Sequence, residues 1–187
     1  LLADYAEAQG FKVERGVAGL PTAFVATYGQ GRPVIGVLGE YDALPGLSQK
    51  AQPVKEALQP GAPGQGCGHN LLGTAALSSA LAIKELIESG KLKGTIRFYG
   101  TPAEEVTGGK VYMVRAGLFD DLDACLTWHP GAKTRVAVDS SQAIVEFIIE
   151  CFGQTAHAAG DPWEGRSAVA AMELNTAGPN RMRELGR

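Results

Sequence analysis

Four short stretches concentrate the residue types that bind metals or move protons: Glu40-Tyr41-Asp42, Gly66-Cys67-Gly68-His69, Thr101-Pro102-Ala103-Glu104-Glu105 and Trp128-His129-Pro130. Each offers a carboxylate, a thiolate or an imidazole. Thiolate and imidazole favour a borderline-soft divalent ion such as zinc, and carboxylates can bridge or complete its shell. Cys67 and His69 are separated by one glycine, so both reach a single centre only where the backbone is unusually open, which the neighbouring glycines allow. Adjacent Glu104 and Glu105 are expected to point in different directions and divide the work. One would bind metal and the other would hold a proton beside the bound water.

Each stretch also has a purely structural interpretation. Glu104 stands three residues after Thr101 with Pro102 between them, the pattern of a capping box with proline at the first helical position. His129 could be a hydrogen-bonded histidine at a strand exit, Cys67 an inert thiol and Asp42 the first residue of a turn. The joint occurrence of all four stretches at predicted strand ends favours the metal site. A thiol-redox protein is disfavoured because no Cys-x-x-Cys pair is present. A phosphate loop at Gly61–Gly68 is disfavoured because no Gly-Lys-Ser/Thr follows it.

The elements that must position these residues follow from periodicity. Residues 1–9 have helical spacing closed by Gly10, and Phe11–Val13 and Ala23–Tyr28 are strand-like. Gly29–Arg32 suggests a hairpin turn into a buried strand at Pro33–Leu38. Residues 43–66 carry four Pro and four Gly, a long loop around a short helix predicted at 53–58. Leu72, Ala76, Ala80, Ile83 and Ile87 form one stripe of a helix from Asn70 to Ser89. A strand at Thr95–Tyr99, a helix at 109–116 and a strand at Asp123–Trp128 complete an α/β pattern with a largely parallel sheet. After Pro130 the texture changes: a strand is predicted over Ala143–Phe152 and a helix over Ala168–Leu185, weakened by Gly178-Pro179. The division expected is residues 1–140 as a metal-binding domain and 141–187 as the start of a smaller α+β domain.

The 187 residues are 45% hydrophobic and 20% charged, which suits a folded globular chain rather than a disordered one. A formal charge of −3 argues against a nucleic-acid surface. The uncharged run Gly16–Gln30 contains Pro and three Gly and is no membrane span. No stretch has the order of a signal peptide. The three cysteines, Cys67, Cys125 and Cys151, suit a reducing compartment, and a cytoplasmic location is expected. The start at Leu1 and the charged ending Arg181-Met182-Arg183-Glu184 suggest a fragment.

The stretches Gly39-Glu40-Tyr41-Asp42-Ala43-Leu44-Pro45-Gly46, Gly66-Cys67-Gly68-His69-Asn70, Gly100–Glu105 and Trp128-His129-Pro130 resemble the zinc-type amidohydrolases of the aminoacylase and carboxypeptidase superfamily. Within it they are most similar to the aminobenzoyl-glutamate hydrolase and dipeptidase branch. Thr155–Gly160, followed by Gly165–Ala168, is similar to that family's smaller domain. The resemblance implies a zinc-exopeptidase-like three-layer α/β sandwich with a lid domain that also dimerises. It implies two divalent metal ions, zinc or alternatively manganese or cobalt. Cys67, His69, Glu105 and His129 would be ligands, Glu104 the general base and Asp42 a supporting acid that orients the site. His157 would reach into the partner subunit's active site and stabilise an oxyanion. The substrate implied is an N-acyl amino acid, aminobenzoyl-glutamate or a dipeptide. The family's last histidine ligand lies beyond the end of this chain, whose three histidines are all used already. The alternative expectation is therefore a non-catalytic fragment that binds metal weakly or not at all.

Overall fold

The computed structural model describes residues 1–136, 140 and 147–185. They fall into two compact units, Leu1–Arg135 and Val136–Arg187.

The first unit is a three-layer α/β sandwich. Its elements are α1 (Leu2–Ala8), β1 (Lys12–Arg15), β2 (Phe24–Gln30), β3 (Val34–Glu40), α2 (His69–Glu88), β4 (Gly94–Thr101), α3 (Gly109–Arg115) and β5 (Ala124–Leu126). The sheet order is β1-β2-β4-β3-β5. β3 pairs parallel with both β4 and β5, whereas β2 is antiparallel to β1 and β4. Four strands therefore run one way and β2 runs against them, the largely parallel sheet that the strand–helix alternation predicts.

Both faces of β4 are buried, and its large apolar residues Ile96, Phe98 and Tyr99 divide between them. Ile96 and Phe98 face one way and pack with Ala3 and Ala6 of α1, Phe24 and Ala26 of β2 and Ala76, Leu77 and Ala80 of α2. Tyr99 faces the other way, against Met113 of α3, Val25 and Phe119. Its hydroxyl donates to Leu118 O at 2.8 Å, so the polar end of this buried ring is satisfied. Arg97 grips Asp121 through two bonds of 2.6 and 2.7 Å and fixes the segment after α3.

Gly29–Arg32 does reverse the chain, but not into a hairpin. β4 inserts between β2 and β3, with Gly94 opposite Gln30 and Thr95 opposite Val34. Thr95 donates from its amide to Pro33 O and from its hydroxyl to Gly31 O, each at 2.8 Å. A doubly buried strand gains more apolar contact in the centre than an edge position would give it. The helix predicted at 53–58 is absent too. The Gln49 side chain instead donates to Lys50 O and Val54 O and accepts from the Glu56 amide, satisfying backbone groups that a helix would have paired. The base of this long loop is closed by a bridge between Leu44 and Gly64.

β5 is short, and Asp123 anchors it. Its amide donates to Val34 O at 2.8 Å, and its carboxylate accepts from the Val34 amide at 2.7 Å and pairs with Arg32. The Val34 amide, and then the Arg32 guanidinium, hold the Asp123 carboxyl below its ordinary range. A depressed folded-state pKa contributes stability above the unfolded value of about 3.9 that is lost as pH falls through the folded value. Asp123→Asn is therefore expected to flatten the acid limb of stability, read by urea unfolding between about pH 6 and about pH 3. An unchanged acid limb would show that the carboxylate does not hold β5.

In the second unit a bridge pairs Gln154 with Arg166, a 3-10 turn covers Pro162–Glu164, and α4 spans Ala168–Leu185. α4 continues through Pro179, whose missing N–H cannot reach the carbonyl one turn earlier. Of the strand predicted over Ala143–Phe152, residues 143–146 lie outside the described residues, and 147–152 carry no strand pairing.

Candidate metal centre

Parallel strands bring their carboxyl ends to one edge of the sheet. From β3 the chain crosses through α2 to β4 on one side, then through α3 to β5 on the other. The end of β3 is thus the topological switch point, where open α/β sheets form a ligand crevice. Glu40 ends β3 and Asp42 follows it; Glu104 and Glu105 follow β4; His129 follows β5. Cys67 and His69 arrive at the start of α2. The structure brings Asp42, Cys67, His69, Glu104, Glu105 and His129 to this one edge.

Two glycines make the approach possible. Gly68 adopts φ +89°, which L side chains rarely take, and a Cβ there would crowd Pro130 beside His129. Gly73 lets α2 settle on the end of β3, since a Cβ would stand 2.6 Å from Glu40 O. Gln65 then ties the two segments together, donating to Asp42 O at 3.3 Å and accepting from the Asn70 amide at 3.1 Å.

Hydrogen bonds set the tautomer of the neutral ring at both histidines. Nδ1 of His69 lies 3.1 Å from Asp42 Oδ1, and Nδ1 of His129 lies 3.0 Å from Pro130 O. A carboxylate and a carbonyl only accept, so each Nδ1 carries the proton and each Nε2 presents a lone pair to the cluster. His129 Nε2 stands 3.2 Å from Cys67 Sγ, where the thiol can donate to it. His69, 1% exposed, is different: among the described residues its Nε2 has no hydrogen-bond partner. Glu40 Oε2 is 3.2 Å from it, Glu105 Oε1 3.8 Å and Glu104 Oε2 3.9 Å, but none meets it in hydrogen-bonding geometry. Glu105 Oε1 is likewise buried and unpaired. Two orphaned ligand atoms facing each other inside a ring of carboxylates, thiol and imidazole are the arrangement a divalent ion satisfies. The residues fit a metal.

The two adjacent glutamates converge on one nitrogen, contrary to the expectation that they diverge. Ala103 takes φ +59°, so the chain after β4 turns irregularly instead of alternating as a strand would. They still differ in burial, the Glu105 side chain being 18% exposed and that of Glu104 42%. The capping-box interpretation fails here. α3 begins only at Gly109, and the Thr101 hydroxyl, inside β4, bonds Gly39 O at 3.3 Å.

Asp42 serves two neighbours at once: besides His69 Nδ1 it accepts the Glu105 amide on Oδ2 at 3.0 Å. Burial pushes the Cys67 thiol up, and the carboxylates of Glu105, Glu104 and Glu40 push it further. Thiolate ligation must therefore displace a proton. Tyr41 donates to Thr22 O at 2.6 Å, and burial raises its phenol to about 12, so it remains a neutral anchor between Glu40 and Asp42. One participant escaped the sequence reading: Lys110 of α3, paired with Glu40 from 70 residues away. Nothing local in Gly109-Lys110-Val111 signals that contact.

His157 lies in the second unit. Its Nδ1 accepts from the amides of Gly160 at 2.9 Å and Ala159 at 3.3 Å, so in the neutral ring Nε2 carries the proton and can donate.

The sequence model of peptidase family M20/M25/M40 matches residues 36–177. A polypeptide of the p-aminobenzoyl-glutamate hydrolase of Escherichia coli strain K12 is 50% identical over 186 residues, covering 98% of this chain and 38% of that protein. Xaa-Arg dipeptidase of Mus musculus is 33% identical over 165 residues, covering 83% of this chain and 34% of that protein. Among solved structures, a dinuclear metal-binding peptidase of Bacillus subtilis aligns with a TM-score of 0.55 at 26% identity, over 66% of this chain and 34% of that one. The chain thus spans less than two-fifths of the length of these proteins.

Proposed function

Because the chain belongs to peptidase family M20/M25/M40, we propose that it forms the metal centre of a hydrolase that cleaves an amide bond whose amine side is an amino acid. One observation carries this: His69 Nε2 and Glu105 Oε1, both buried and unpaired, face each other at 3.8 Å in a crevice that also holds Cys67, His129 and Glu104. The substrate is an N-acyl amino acid, aminobenzoyl-glutamate or a dipeptide. The names of the bacterial hydrolase and the mouse dipeptidase support this class, since each describes an amide of an amino acid.

In this reading Cys67, His69, Glu105 and His129 hold two divalent ions, with zinc favoured by the thiolate. When bound, such ions supply acidified water and Lewis-acid polarisation of a carbonyl. Glu104, the more exposed of the adjacent glutamates, accepts the proton of the attacking water and returns it to the leaving amine. Asp42 keeps His69 in the tautomer that offers Nε2 and holds the Glu105 backbone. His157 donates from Nε2 to the oxyanion in a partner subunit's site.

We read residues 1–140 as the catalytic metal-binding domain and 141–187 as the start of a lid that dimerises. The division into units after Arg135 and the exposed apolar side chains Trp163, Val169 and Leu174 support that assignment. Three free cysteines are in keeping with a cytoplasmic location.

The reading is tested by elemental analysis of the purified chain after dialysis against metal-free buffer, followed by hydrolysis assays on the three substrate types. Retention of one or two metal equivalents is expected. No retained metal would favour a non-catalytic segment whose activity needs a longer polypeptide. The role of His157 is tested by mixing His157→Ala subunits with Glu104→Gln subunits of the active hydrolase. Partial recovery of activity is expected if His157 works across the interface, and no recovery would confine it to its own subunit or to no role.

A further inference from the structure

Glu104 and Glu105 hang on the short segment that leads from Thr101, the end of β4, to Gly109, the start of α3. Two grips hold that segment. The Glu105 amide donates to Asp42 Oδ2 at 3.0 Å, and the Ala103 carbonyl accepts from the amides of Gly109 at 3.1 Å and Thr107 at 3.3 Å. Between the grips Ala103 keeps φ +59°, a conformation that disfavours a side chain and persists only where its surroundings impose it.

Gly109 belongs to those surroundings for a reason outside its own conformation. It is buried and opens α3 with ordinary helical backbone, where alanine is the better helix former. What requires glycine is the neighbouring chain. A Cβ at Gly109 would stand 2.1 Å from Pro102 O and 3.2 Å from Pro102 C. Both are backbone atoms, so the obstruction cannot swing aside as the end of a side chain would. The φ of Pro102 is fixed by its ring. A side chain at position 109 must therefore turn the Pro102–Ala103 peptide or lift α3 off the Ala103 carbonyl. Either movement releases the left-handed residue that aims the two glutamates.

We propose that Gly109 is a positioning residue for Glu104 and Glu105. Its missing side chain lets α3 close on the Pro102–Ala103 peptide and grip the Ala103 carbonyl. That grip fixes the turn that brings Glu105 Oε1 to 3.8 Å and Glu104 Oε2 to 3.9 Å from His69 Nε2. The consequence for metal binding rests on the metal centre proposed above, whereas the hold on the turn does not.

The test compares Gly109→Ala with the parent chain by exchange of the Glu105 amide hydrogen in metal-free protein, by zinc affinity in competition with a chelator, and by thermal unfolding. Exchange at Glu105 is expected to quicken by about 10-fold or more, because its bond to Asp42 slackens. Zinc should bind about 10-fold or more weakly, the scale on which residues behind the ligands act. A glycine that serves packing alone would move only the unfolding midpoint, so unchanged exchange and affinity in the folded variant would overturn the proposal. Faster exchange with unchanged affinity would overturn it too, since the turn would then move without carrying the glutamates. If the parent itself binds no zinc, the metal centre falls, and the Glu105 exchange alone supports or overturns the hold of Gly109 on the turn. If Gly109→Ala does not fold, Ala103→Val decides. It turns the same peptide from the other side, because a β-branched residue resists positive φ. The same two changes are expected in it, and Ala103→Gly, which accepts that φ, should keep the parent values. Parent-like exchange and affinity in Ala103→Val would overturn the proposal.

Discussion

Glu104→Gln is expected to lower turnover of the active hydrolase by about 10²–10⁴-fold, the usual worth of a positioned general base, while leaving its metal content unchanged. The substitution keeps the size of the side chain and one carbonyl oxygen but removes the ability to take up a proton. Glu104 suits this test because it stands at the edge of the crevice, with a side chain 42% exposed and an oxygen 3.9 Å from His69 Nε2. Glu105, beside it, is the more deeply held of the two and carries the buried unpaired oxygen. Turnover and the metal-to-protein ratio should be measured on one preparation. Near-normal turnover would place the base elsewhere. Loss of metal together with turnover would make Glu104 a ligand.

Asp42→Asn should weaken metal binding by about 10- to 100-fold, measured by competition with a chelator. The carboxylate accepts from two donors, His69 Nδ1–H and the Glu105 amide, one on each oxygen. An asparagine has a single acceptor oxygen, so its NH₂ group must face one of those donors. Either His69 loses the bond that fixes its tautomer, or the backbone carrying Glu105 comes loose. Unchanged affinity would show that packing alone orients His69.

Much of this was legible in the sequence because it is local. The helical stripe from Leu72 to Ile87, the β-branched and aromatic residues of β4 and the glycines around Cys67 and His69 each carry their meaning within a few residues. What escaped depends on partners distant along the chain. The insertion of β4 between β2 and β3 is a competition among strands for the buried centre of the sheet, and no turn residue at 29–32 reports its outcome. The convergence of Glu104 and Glu105 follows from the left-handed backbone of Ala103, a residue type with no preference for it. Lys110 meets Glu40 across 70 positions, and only the packing of α3 behind the sheet reveals the pair. Three of the site stretches were found because they follow strands, and the fourth because glycines flank Cys67 and His69 at the start of α2. Their hydrogen-bond roles, with both histidines protonated at Nδ1, required coordinates.

The parallel register of β3, β4 and β5 has a consequence for the order in which the chain folds. Asp42 reaches Glu105 across 63 positions and Cys67 reaches His129 across 62. No fragment of one strand and its following turn contains two of these meeting groups. Pairings of such separation form late, because loop entropy must be overcome before they gain contact energy. An ion held by these residues would therefore not nucleate the domain as zinc does in a small finger. It would arrive at a cradle already built, and its capture would report that all three strands have docked.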